Sequence, residues 1–419
     1  MVDEEADGER ASVPTGRYTL SPSSSDRGSV RTLREVVIVD AVRTGIGRGH
    51  PDKGQFRNIH ANTLLGSCLT ALIERTGIAP ERADDVITGC VLQYGEQSVN
   101  AGRNAWFQAG LPASVPATTV DRQRGSGLQA VNFAAAMTAS GAVDVAIAGG
   151  VEHMGHIPFA VEESSRAEHG TPWPRELLGR YGLVSQGVAA ERIADRWEIS
   201  RAEMDRIALE SHRRAAAPRI RGVFDAELVA VRDDGTLIAG DQGVRPDTSL
   251  EALAALHPAF TAGGRVTAGN ASQISDGASA LLLTDRDTVR ALDLPVRGRI
   301  VDYATVGVDP VLMLEGPVPA TRKLLQRNEL DVGDIDRYEV NEAFASVLAM
   351  WQREIAADSS MVNVNGGMIA LGHPLGASGA RLLTSLVHEF ERSEASRGVV
   401  TMCCRGGLGT ATLIERAAA

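Results

Sequence analysis

The chain has 419 residues, a formal net charge of −11 and a sequence pI of about 5.4. An acidic protein repels phosphate backbones, so we expect no role in binding nucleic acid. No apolar run approaches the roughly 20 residues of a membrane-spanning helix, so we expect no membrane segment. The 43% hydrophobic residues and 44 glycines are typical of a globular α/β protein with many tight turns, and this length predicts two or three domains.

The four cysteines, at positions 68, 90, 403 and 404, lack the spacing of zinc ligands, so no metal is expected. Adjacent cysteines cannot easily form a disulfide without strain, and we predict a reducing, cytoplasmic location. Residues 1–34 are rich in Ser, Gly, Asp, Glu and Arg, which predicts a disordered N-terminal extension. This segment lacks the apolar stretch of a secretory signal, and its early acidic residues argue against a mitochondrial transit peptide.

Apolar runs alternate with helical patterns along the chain. Strands are predicted in the first half at residues 36–39, 86–92, 117–120 and 143–148, and helices at residues 61–75 and 126–140. A charged central segment carries two predicted amphipathic helices, at residues 191–197 and 202–217. The last third predicts strands at residues 362–364 and 399–402 and a helix at residues 378–389. Strands that alternate with helices predict a parallel sheet covered on both faces.

One short pattern occurs twice. Glycine, serine and glycine precede a helix, a strand and two further glycines near residues 125–150, and the same order recurs near residues 377–407. We interpret this repetition as a weak indication of an internal duplication.

Three loops in the last third carry polar and reactive residues between glycines. They read Asn341-Glu342-Ala343-Phe344-Ala345, Gly372-His373-Pro374-Leu375-Gly376, and Cys403-Cys404-Arg405-Gly406-Gly407-Leu408-Gly409. These loops resemble the NEAF, GHP and C-x-G-G-x-G loops of thiolases, which make or break a carbon–carbon bond between acyl-CoA thioesters. Residues 269–278 and 316–323 also resemble thiolases, so the similarity extends from residue 35 to about residue 415.

The resemblance implies an α/β fold with two similar βαβαβαββ halves in a five-layer α-β-α-β-α sandwich, plus a loop domain. It implies an N-terminal thiolase domain at 35–157 and 275–296, a loop domain contacting CoA at 158–274, and a C-terminal thiolase domain at 297–419. It also implies a homodimer or homotetramer, with a mixed complex containing another acyl-CoA protein as an alternative. The CoA thioester is the expected small-molecule substrate, and no separate cofactor is expected.

The resemblance also implies roles for particular residues. Asn341, through a bound water, and His373 would form an oxyanion hole for the enolate of a thioester, an electrostatic contribution that is often the largest in catalysis. Cys403 would move the α-proton as general acid or base. Ser272 would contact the pantetheine of CoA, and Arg245 is a candidate for the nucleotide end.

The chain departs from the family at two positions. The fourth family loop carries a cysteine that attacks the thioester, and here Asp121-Arg122-Gln123-Arg124-Gly125-Ser126-Gly127 places Arg124 in that position. A guanidinium stays protonated at pH 7 and cannot act as a nucleophile. Arg405 replaces a glycine whose backbone N–H belongs to the second oxyanion hole of the family. Both changes affect acyl transfer, whereas the residues for enolate stabilisation are retained.

We therefore predict an acyl-CoA acyltransferase of the thiolase superfamily, active in lipid metabolism, that works without the usual cysteine acyl-enzyme. Three alternatives stay open. The first is a decarboxylase or retro-Claisen hydrolase of a β-keto or malonyl thioester, in which Arg124 and Arg405 bind a carboxylate or activate water. The second transfers an acyl group directly between bound substrates, and the third is a non-catalytic CoA-binding scaffold. Two buried arginines repel each other, so either a protein carboxylate or a substrate carboxylate is expected between them, unless their loops turn outward.

Overall fold

The computed structural model describes residues 33–217 and 222–417, and strands alternate with helices throughout these ranges. The strands, in chain order, are β1 Val36–Thr44, β2 Gly47–Arg48, β3 Asp85–Gly89, β4 Ala117–Val120, β5 Val145–His153, β6 Leu228–Val229, β7 Val231–Asp233, β8 Thr236–Ile238, β9 Ser275–Asp285, β10 Gly298–Gly307, β11 Arg337–Val340, β12 Arg397–Cys404 and β13 Leu408–Arg416. The helices are α1 Ala61–Thr76, α2 Ala101–Gln108, α3 Ser126–Ser140, α4 Phe159–His169, α5 Arg175–Tyr181, α6 Gln186–Arg196, α7 Arg201–Ala216, α8 Leu250–Ala254, α9 Arg286–Leu292, α10 Pro317–Arg327, α11 Ala345–Ile355, α12 Met368–Leu371 and α13 Ser378–Arg392.

The main sheet is mixed, so the prediction of a parallel sheet is wrong. Its strand order is β11-β12-β13-β10-β1-β9-β5-β3-β4, with β2 beside β9 and β6 beside β1. Pairs β3–β4, β3–β5 and β11–β12 are parallel, whereas β1–β9, β5–β9, β1–β10, β10–β13 and β12–β13 are antiparallel. Hydrophobic runs predict that a strand exists but not its direction. The short turn between β12 and β13 allows only antiparallel pairing, because parallel neighbours need a long crossover.

The helices form three layers around the two halves of this sheet. Helices α3 and α13 contact each other between the halves, where α3 packs on β3, β5 and β9 and α13 packs on β1, β9 and β12. Helices α1 and α2 cover the outer face of the N-terminal half, and α10, with α11 beside it, covers the outer face of the C-terminal half. The resulting order of layers is α-β-α-β-α, which confirms the predicted fold class.

The middle of strand β9, residues 280–283, is continuously apolar because both of its faces are buried. Leu281 and Leu283 pack in the core around α3 and α13, whereas Ala280 and Leu282 pack in the core around α1. Successive side chains of a strand point to opposite faces, so a strand buried on both faces needs an unbroken apolar run. Each fully buried leucine contributes about 1.5–3 kcal/mol to the stability of these cores.

Most predicted elements of the first half are present with small shifts in their ends. Strand β4 and helix α3 have the predicted bounds, α1 extends to Thr76, β5 covers Val145–His153, and β3 ends at Gly89. The predicted strand at residues 362–364 is wrong. Val362 forms one isolated bridge with Tyr338, and Asn363 adopts a left-handed φ of 47° that interrupts an extended conformation.

The predicted N-terminal extension lies almost entirely outside the described residues, which begin at Leu33. Arg34, the last residue assigned to that extension, forms ion pairs of 2.6 Å with Asp144 and 2.8 Å with Asp285. The chain from Leu33 onward packs as one unit, and the predicted internal boundaries at residues 157, 274 and 296 stay predictions. Within the described ranges, none of the helices is both long enough and apolar enough to cross a membrane.

Candidate active site

The loop between β4 and α3 presents Arg124 at the N-terminal end of a helix. A left-handed φ of 51° at Gln123 turns the chain, and the Ser126 hydroxyl accepts a 2.9 Å hydrogen bond from the Arg122 N–H. A Cβ on Gly125 would lie 2.5 Å from Cys404 Sγ, so the loop packs directly against the end of β12. A cation at a helix N-terminus is unfavourable by about 0.3–1 kcal/mol because the helix dipole is positive there.

Arg124 is partly buried and lines a cavity of about 600 Å³. Other residues that line this cavity are Phe159, Glu162, Trp173, Leu375 and Arg405. The guanidinium carbon lies 5.8 Å from the Phe159 ring centroid, and in the described part of the chain Nε has no hydrogen-bond partner. Burial lowers the pKa of Arg124 to about 10, an effect that a charge on Cys403 opposes and the Arg405 charge reinforces. Arg124 is therefore charged at pH 7.

Arg405, in the turn between β12 and β13, has a carboxylate partner. Its Nη1 lies 2.9 Å and 3.0 Å from the two carboxylate oxygens of Glu162, on α4. The same carboxylate forms a 2.8 Å ion pair with Arg166. Both guanidinium groups lie over the Trp173 ring, at 5.2 Å for Arg405 and 4.4 Å for Arg166. Burial opposes the ionisation of Glu162, but the hydrogen bonds from Arg405 and Arg166 outweigh it and lower the pKa of this carboxyl.

Cys403 lies next to Asn341, with Asn341 Nδ2 3.8 Å from Cys403 Sγ. Both side chains are fully buried. Burial raises the pKa of the Cys403 thiol to about 11, although the charge of Arg124 opposes this rise, so the group is a thiol at pH 7. The Cys404 side chain lies against Gly125 instead, as expected for the next residue of a strand.

Asn341 follows β11 and has an unpaired acceptor. Its backbone N–H donates to the Thr401 carbonyl at 3.0 Å, whereas the buried Oδ1 has no hydrogen-bond partner in the part of the chain that the structure describes. The next residue, Glu342, accepts hydrogen bonds from Ser211 Oγ and Asn363 Nδ2, both at 2.8 Å. Glu342 thus anchors the loop that positions Asn341, a role that the motif alone did not reveal.

His373 lies in the loop between α12 and α13, where its backbone N–H donates to Ser275 Oγ at 3.0 Å. Its Nδ1 is 2.6 Å from Ser378 Oγ, and its buried Nε2 has no partner among the described residues. Burial lowers the pKa of His373 well below its usual value, and the charges of Arg124 and Arg381 lower it further. The imidazole is therefore neutral at pH 7. The Ser378 hydroxyl has one proton and lies 2.7 Å from the Pro374 carbonyl as well as beside Nδ1. In the tautomer in which Ser378 donates to Nδ1, Nε2 carries the ring proton and can donate to a substrate oxygen.

Of the four predicted catalytic residues, the structure brings Asn341 and Cys403 into contact, and only Arg124 lines the cavity of about 600 Å³. Asn341 contacts Cys403, and the charge of Arg124 acts on the pKa of both Cys403 and His373. The second predicted arginine, Arg405, lines the same cavity as Arg124.

The two residues predicted to contact CoA lie in other surroundings. The partly buried Ser272 donates its backbone N–H to the Ala343 carbonyl at 3.0 Å, beside the Asn341 loop. Arg245 lines a cavity of about 520 Å³ that shares no lining residue with the Arg124 cavity, and its backbone N–H donates to His212 Nδ1 at 3.1 Å. Their roles in binding CoA stay predictions.

Further residues that were not predicted from the sequence support and cover the site. Glu152, fully buried at the end of β5, accepts 3.0 Å hydrogen bonds from the Val91 and Leu92 N–H groups and a 2.9 Å bond from Gly376 N–H. It thereby joins the loop after β3 to the His373 loop. An acidic residue two positions after Gly150, at the end of an apolar strand, is the only signal for it in the sequence.

A further cluster contains Glu96, His153 and His156, whose ligand-type atoms lie within 4.8 Å of one another. The two imidazole rings stack with centroids 3.8 Å apart. His156 Nδ1 is 3.0 Å from Glu96 Oε1, His156 Nε2 is 2.7 Å from the Arg57 carbonyl, and His153 Nε2 is 3.1 Å from the Phe56 carbonyl. In this arrangement the histidines hold the loop at residues 56–57, and their three-residue spacing is the only signal for the cluster in the sequence.

Comparisons with known proteins agree with this architecture. The model of the thiolase N-terminal domain matches residues 36–287, and that of the thiolase C-terminal domain matches residues 294–416. Over 400 residues the chain is 44% identical to the steroid 3-ketoacyl-CoA thiolase FadA6 of Mycobacterium tuberculosis, covering 94% of this chain and 97% of that protein. It is 41% identical to a 3-ketoacyl-CoA thiolase of Aliivibrio fischeri over 396 residues, 92% of this chain and all of the relative.

A solved structure is also similar. The crystal structure of the Bacillus anthracis acetyl-CoA acetyltransferase superposes with a TM-score of 0.85 at 36% sequence identity, covering 92% of this chain and 100% of that one. Two family models that together span most of the described residues, and relatives above 40% identity along nearly their full length, leave one assignment. The chain belongs to the thiolase family and is an acyltransferase of the thiolase superfamily.

Proposed function

We propose that this protein binds acyl-CoA thioesters and stabilises an enolate at Asn341, His373 and Cys403, without a cysteine acyl-enzyme at position 124. The observation that carries this proposal is a pair of buried polar atoms, Asn341 Oδ1 and His373 Nε2, that have no partner in the described chain. A buried polar group without a partner costs about 1–3 kcal/mol, so such atoms are expected where a ligand or water completes the site.

The two atoms suit the oxygen of a thioester. Removing the α-proton, or breaking the bond between the α-carbon and an acyl group, places negative charge on that oxygen. His373 Nε2–H donates to it directly, and Asn341 Oδ1 holds a water that donates its other proton. Neutral His373 is an appropriate donor because an imidazole that is already uncharged does not protonate the substrate prematurely.

Cys403 supplies the proton transfer. As a thiol at pH 7 it gives its proton to the α-carbon of the enolate, and the resulting thiolate is stabilised by the positive charge of Arg124 before water reprotonates it. In the opposite direction, the thiolate fraction removes an α-proton. Because the pKa of this thiol is about 11, the thiolate fraction increases about tenfold for each unit by which the pH is raised, up to pH 11.

The acyl-transfer half lacks a nucleophile at the family's position. Arg124 cannot attack, and burial also raises the pKa of the neighbouring thiol Cys404 and of Cys90 well above the usual range. The proposed chemistry therefore begins and ends with noncovalently bound thioesters. Assembly as a homodimer or homotetramer, from the family resemblance, is part of this proposal.

The test is exchange of the α-protons of acetyl-CoA with D₂O, followed by mass spectrometry, because exchange requires an enolate but no acyl transfer. We expect catalysed exchange whose rate rises between pH 7 and pH 10. Cys403→Ala should abolish it, and Cys404→Ala, a matched change on the opposite face of the same strand, should retain it. Absence of exchange above the uncatalysed rate at pH 9, with CoA still bound, would favour the non-catalytic scaffold instead.

A second measurement tests the acyl-enzyme. Intact-mass spectrometry after exposure to acetyl-CoA should show no adduct on the native protein. Arg124→Cys places a thiol at the N-terminal end of α3, where the helix dipole favours the thiolate, and this variant should gain one acetyl group. An adduct on the native chain would contradict the proposal and identify another nucleophile.

A further inference from the structure

We infer that the acyl group bound in this site carries a carboxylate that Arg124 recognises, so the substrate class is a 2-carboxyacyl-CoA thioester, of which malonyl-CoA is the simplest. This inference rests on the proposed binding of CoA thioesters at Asn341 and His373. It assigns to Arg124 a specificity role in place of the missing nucleophile.

The carboxylates that line the cavity already have partners other than Arg124. Glu162 binds Arg405 and Arg166, and is not available to Arg124. Asp121, which also lines the cavity, is held by the backbone and side-chain nitrogens of Gln123, and burial raises its pKa.

Glu152 has the smallest of the named influences on the pKa of Arg124, and its oxygens accept hydrogen bonds from backbone N–H groups and a side-chain amide, not from Arg124. Among the residues that the structure describes, no carboxylate forms an ion pair with Arg124, and its Nε lacks any hydrogen-bond partner. A charged guanidinium therefore lines this cavity without an ion-pair partner among the described residues.

The position of Arg124 is electrostatically unfavourable for its positive charge. Burial, the like charge of Arg405 and the positive end of the α3 dipole all oppose the charge of Arg124. A bound anion relieves all three effects at once. Arg405 already has a carboxylate partner in Glu162, which it shares with Arg166, so the expectation that both arginines bind substrate is narrowed to Arg124.

The proposed carboxylate lies next to the α-carbon of the acyl chain. The thioester oxygen lies at His373 and Asn341, which places the α-carbon beside Cys403. Arg124 directly precedes Gly125, which packs against Cys404 beside Cys403, and Leu375, two residues after His373, lines the same cavity as Arg124. The carbon after the α-carbon is therefore taken to extend toward Arg124. In a 2-carboxyacyl thioester that next carbon is the carboxylate. A guanidinium fork binds such a group through two parallel hydrogen bonds.

The surrounding surface is compatible with this substrate. Phe159, Trp173, Met313 and Leu375 line the remainder of the cavity of about 600 Å³ and provide apolar walls for the acyl chain and the pantetheine. Arg124 approaches the Phe159 ring face, which leaves the edge of the guanidinium free for a ligand.

The test is calorimetric binding of acetyl-CoA, malonyl-CoA and succinyl-CoA to the native protein and to two variants. Arg124→Gln removes the proposed carboxylate ligand. Arg122→Gln is the matched control, because Arg122 lies in the same loop and carries the same charge but does not line the cavity. Chromatography of the titrated samples verifies that each thioester is intact.

We expect native protein to bind malonyl-CoA at least about tenfold more tightly than acetyl-CoA, as a charge-assisted hydrogen bond predicts. Succinyl-CoA, whose carboxylate is one carbon further away, should gain less. Arg124→Gln should lose the preference, whereas Arg122→Gln should keep it. Equal affinities of native protein for malonyl-CoA and acetyl-CoA, or an equal preference for succinyl-CoA, would overturn the inference while leaving the proposed function intact. Failure to bind any of the three thioesters would overturn both.

Discussion

Replacing Arg124 by glutamine should stabilise the protein, although the residue lies in the candidate active site. Glutamine keeps a polar side chain of similar reach but carries no charge. The structure gives this charge no carboxylate partner among the described residues, and three influences oppose it: partial burial, Arg405 and the N-terminal end of α3. Removing the charge therefore removes a cost of folding.

The magnitude follows from the pKa. The value for Arg124 falls from 12.5 to about 10, and at 1.36 kcal/mol for each pH unit the fold disfavours the charged form by at most about 3 kcal/mol. Solvent reaches part of the side chain, and glutamine loses the contact with the Phe159 ring, which is worth about 0.5–1 kcal/mol. We expect a net gain of about 1–2 kcal/mol in the free energy of unfolding.

The assay is urea denaturation at pH 7 without ligand. A base whose folded pKa is lowered destabilises the fold at every pH below that pKa, so the gain should be constant between pH 6 and pH 9. The control variant Arg122→Gln should change the free energy of unfolding by less. A loss of stability in Arg124→Gln would refute the reasoning, because it would mean that the guanidinium has a stabilising partner in the fold.

His373→Ala should slow any thioester reaction about 10²- to 10³-fold, as removal of an oxyanion donor does, and an active enzyme that ignores this change would contradict the assigned site. Glu162→Gln should leave Arg405 with a neutral partner and destabilise the protein by about 1–3 kcal/mol in thermal unfolding, because this ion pair is partly buried; an unchanged melting temperature would contradict it. Glu339→Gln should become increasingly stable relative to native protein as the pH rises from 5 to 8. Burial raises the pKa of Glu339 from 4.5 in the unfolded chain to about 8 in the folded protein. Ionisation between these values therefore destabilises the native fold by at most about 5 kcal/mol, whereas the glutamine variant does not ionise. Denaturation at both pH values tests this, and a constant difference would exclude it.

The two arginines show how a local motif and the tertiary structure contribute differently. Both substitutions are visible in the sequence, because each falls inside a short loop with recognisable neighbours. Their electrostatic partners are not visible. Arg405 binds Glu162, 243 positions away in the chain, and no periodicity or composition connects these two residues. Only the tertiary structure therefore shows that Arg405 has a carboxylate partner and that Arg124 has none among the described residues.

The sequence alone determined the existence and order of four elements at the site, β4, α3, α13 and β12, but not of β11, which precedes Asn341. Helix α3 and strand β4 have the predicted bounds because glycine and serine punctuate long apolar patterns, and these signals act within a few residues. Residue types at 341, 373 and 403 were equally evident, since each lies in a compact motif.

Tertiary structure decided how the strands run and what the site residues contact. The antiparallel direction of β9 depends on pairing with β1 and β5, which are far away in the chain, and a hydrophobic run is the same in either direction. The 3.8 Å approach of Asn341 to Cys403 comes from the parallel pairing of β11 with β12. The burial that makes His373 neutral and keeps Cys403 as a thiol comes from tertiary packing. Protonation states depend on desolvation and neighbouring charge, which exist only once the chain has folded.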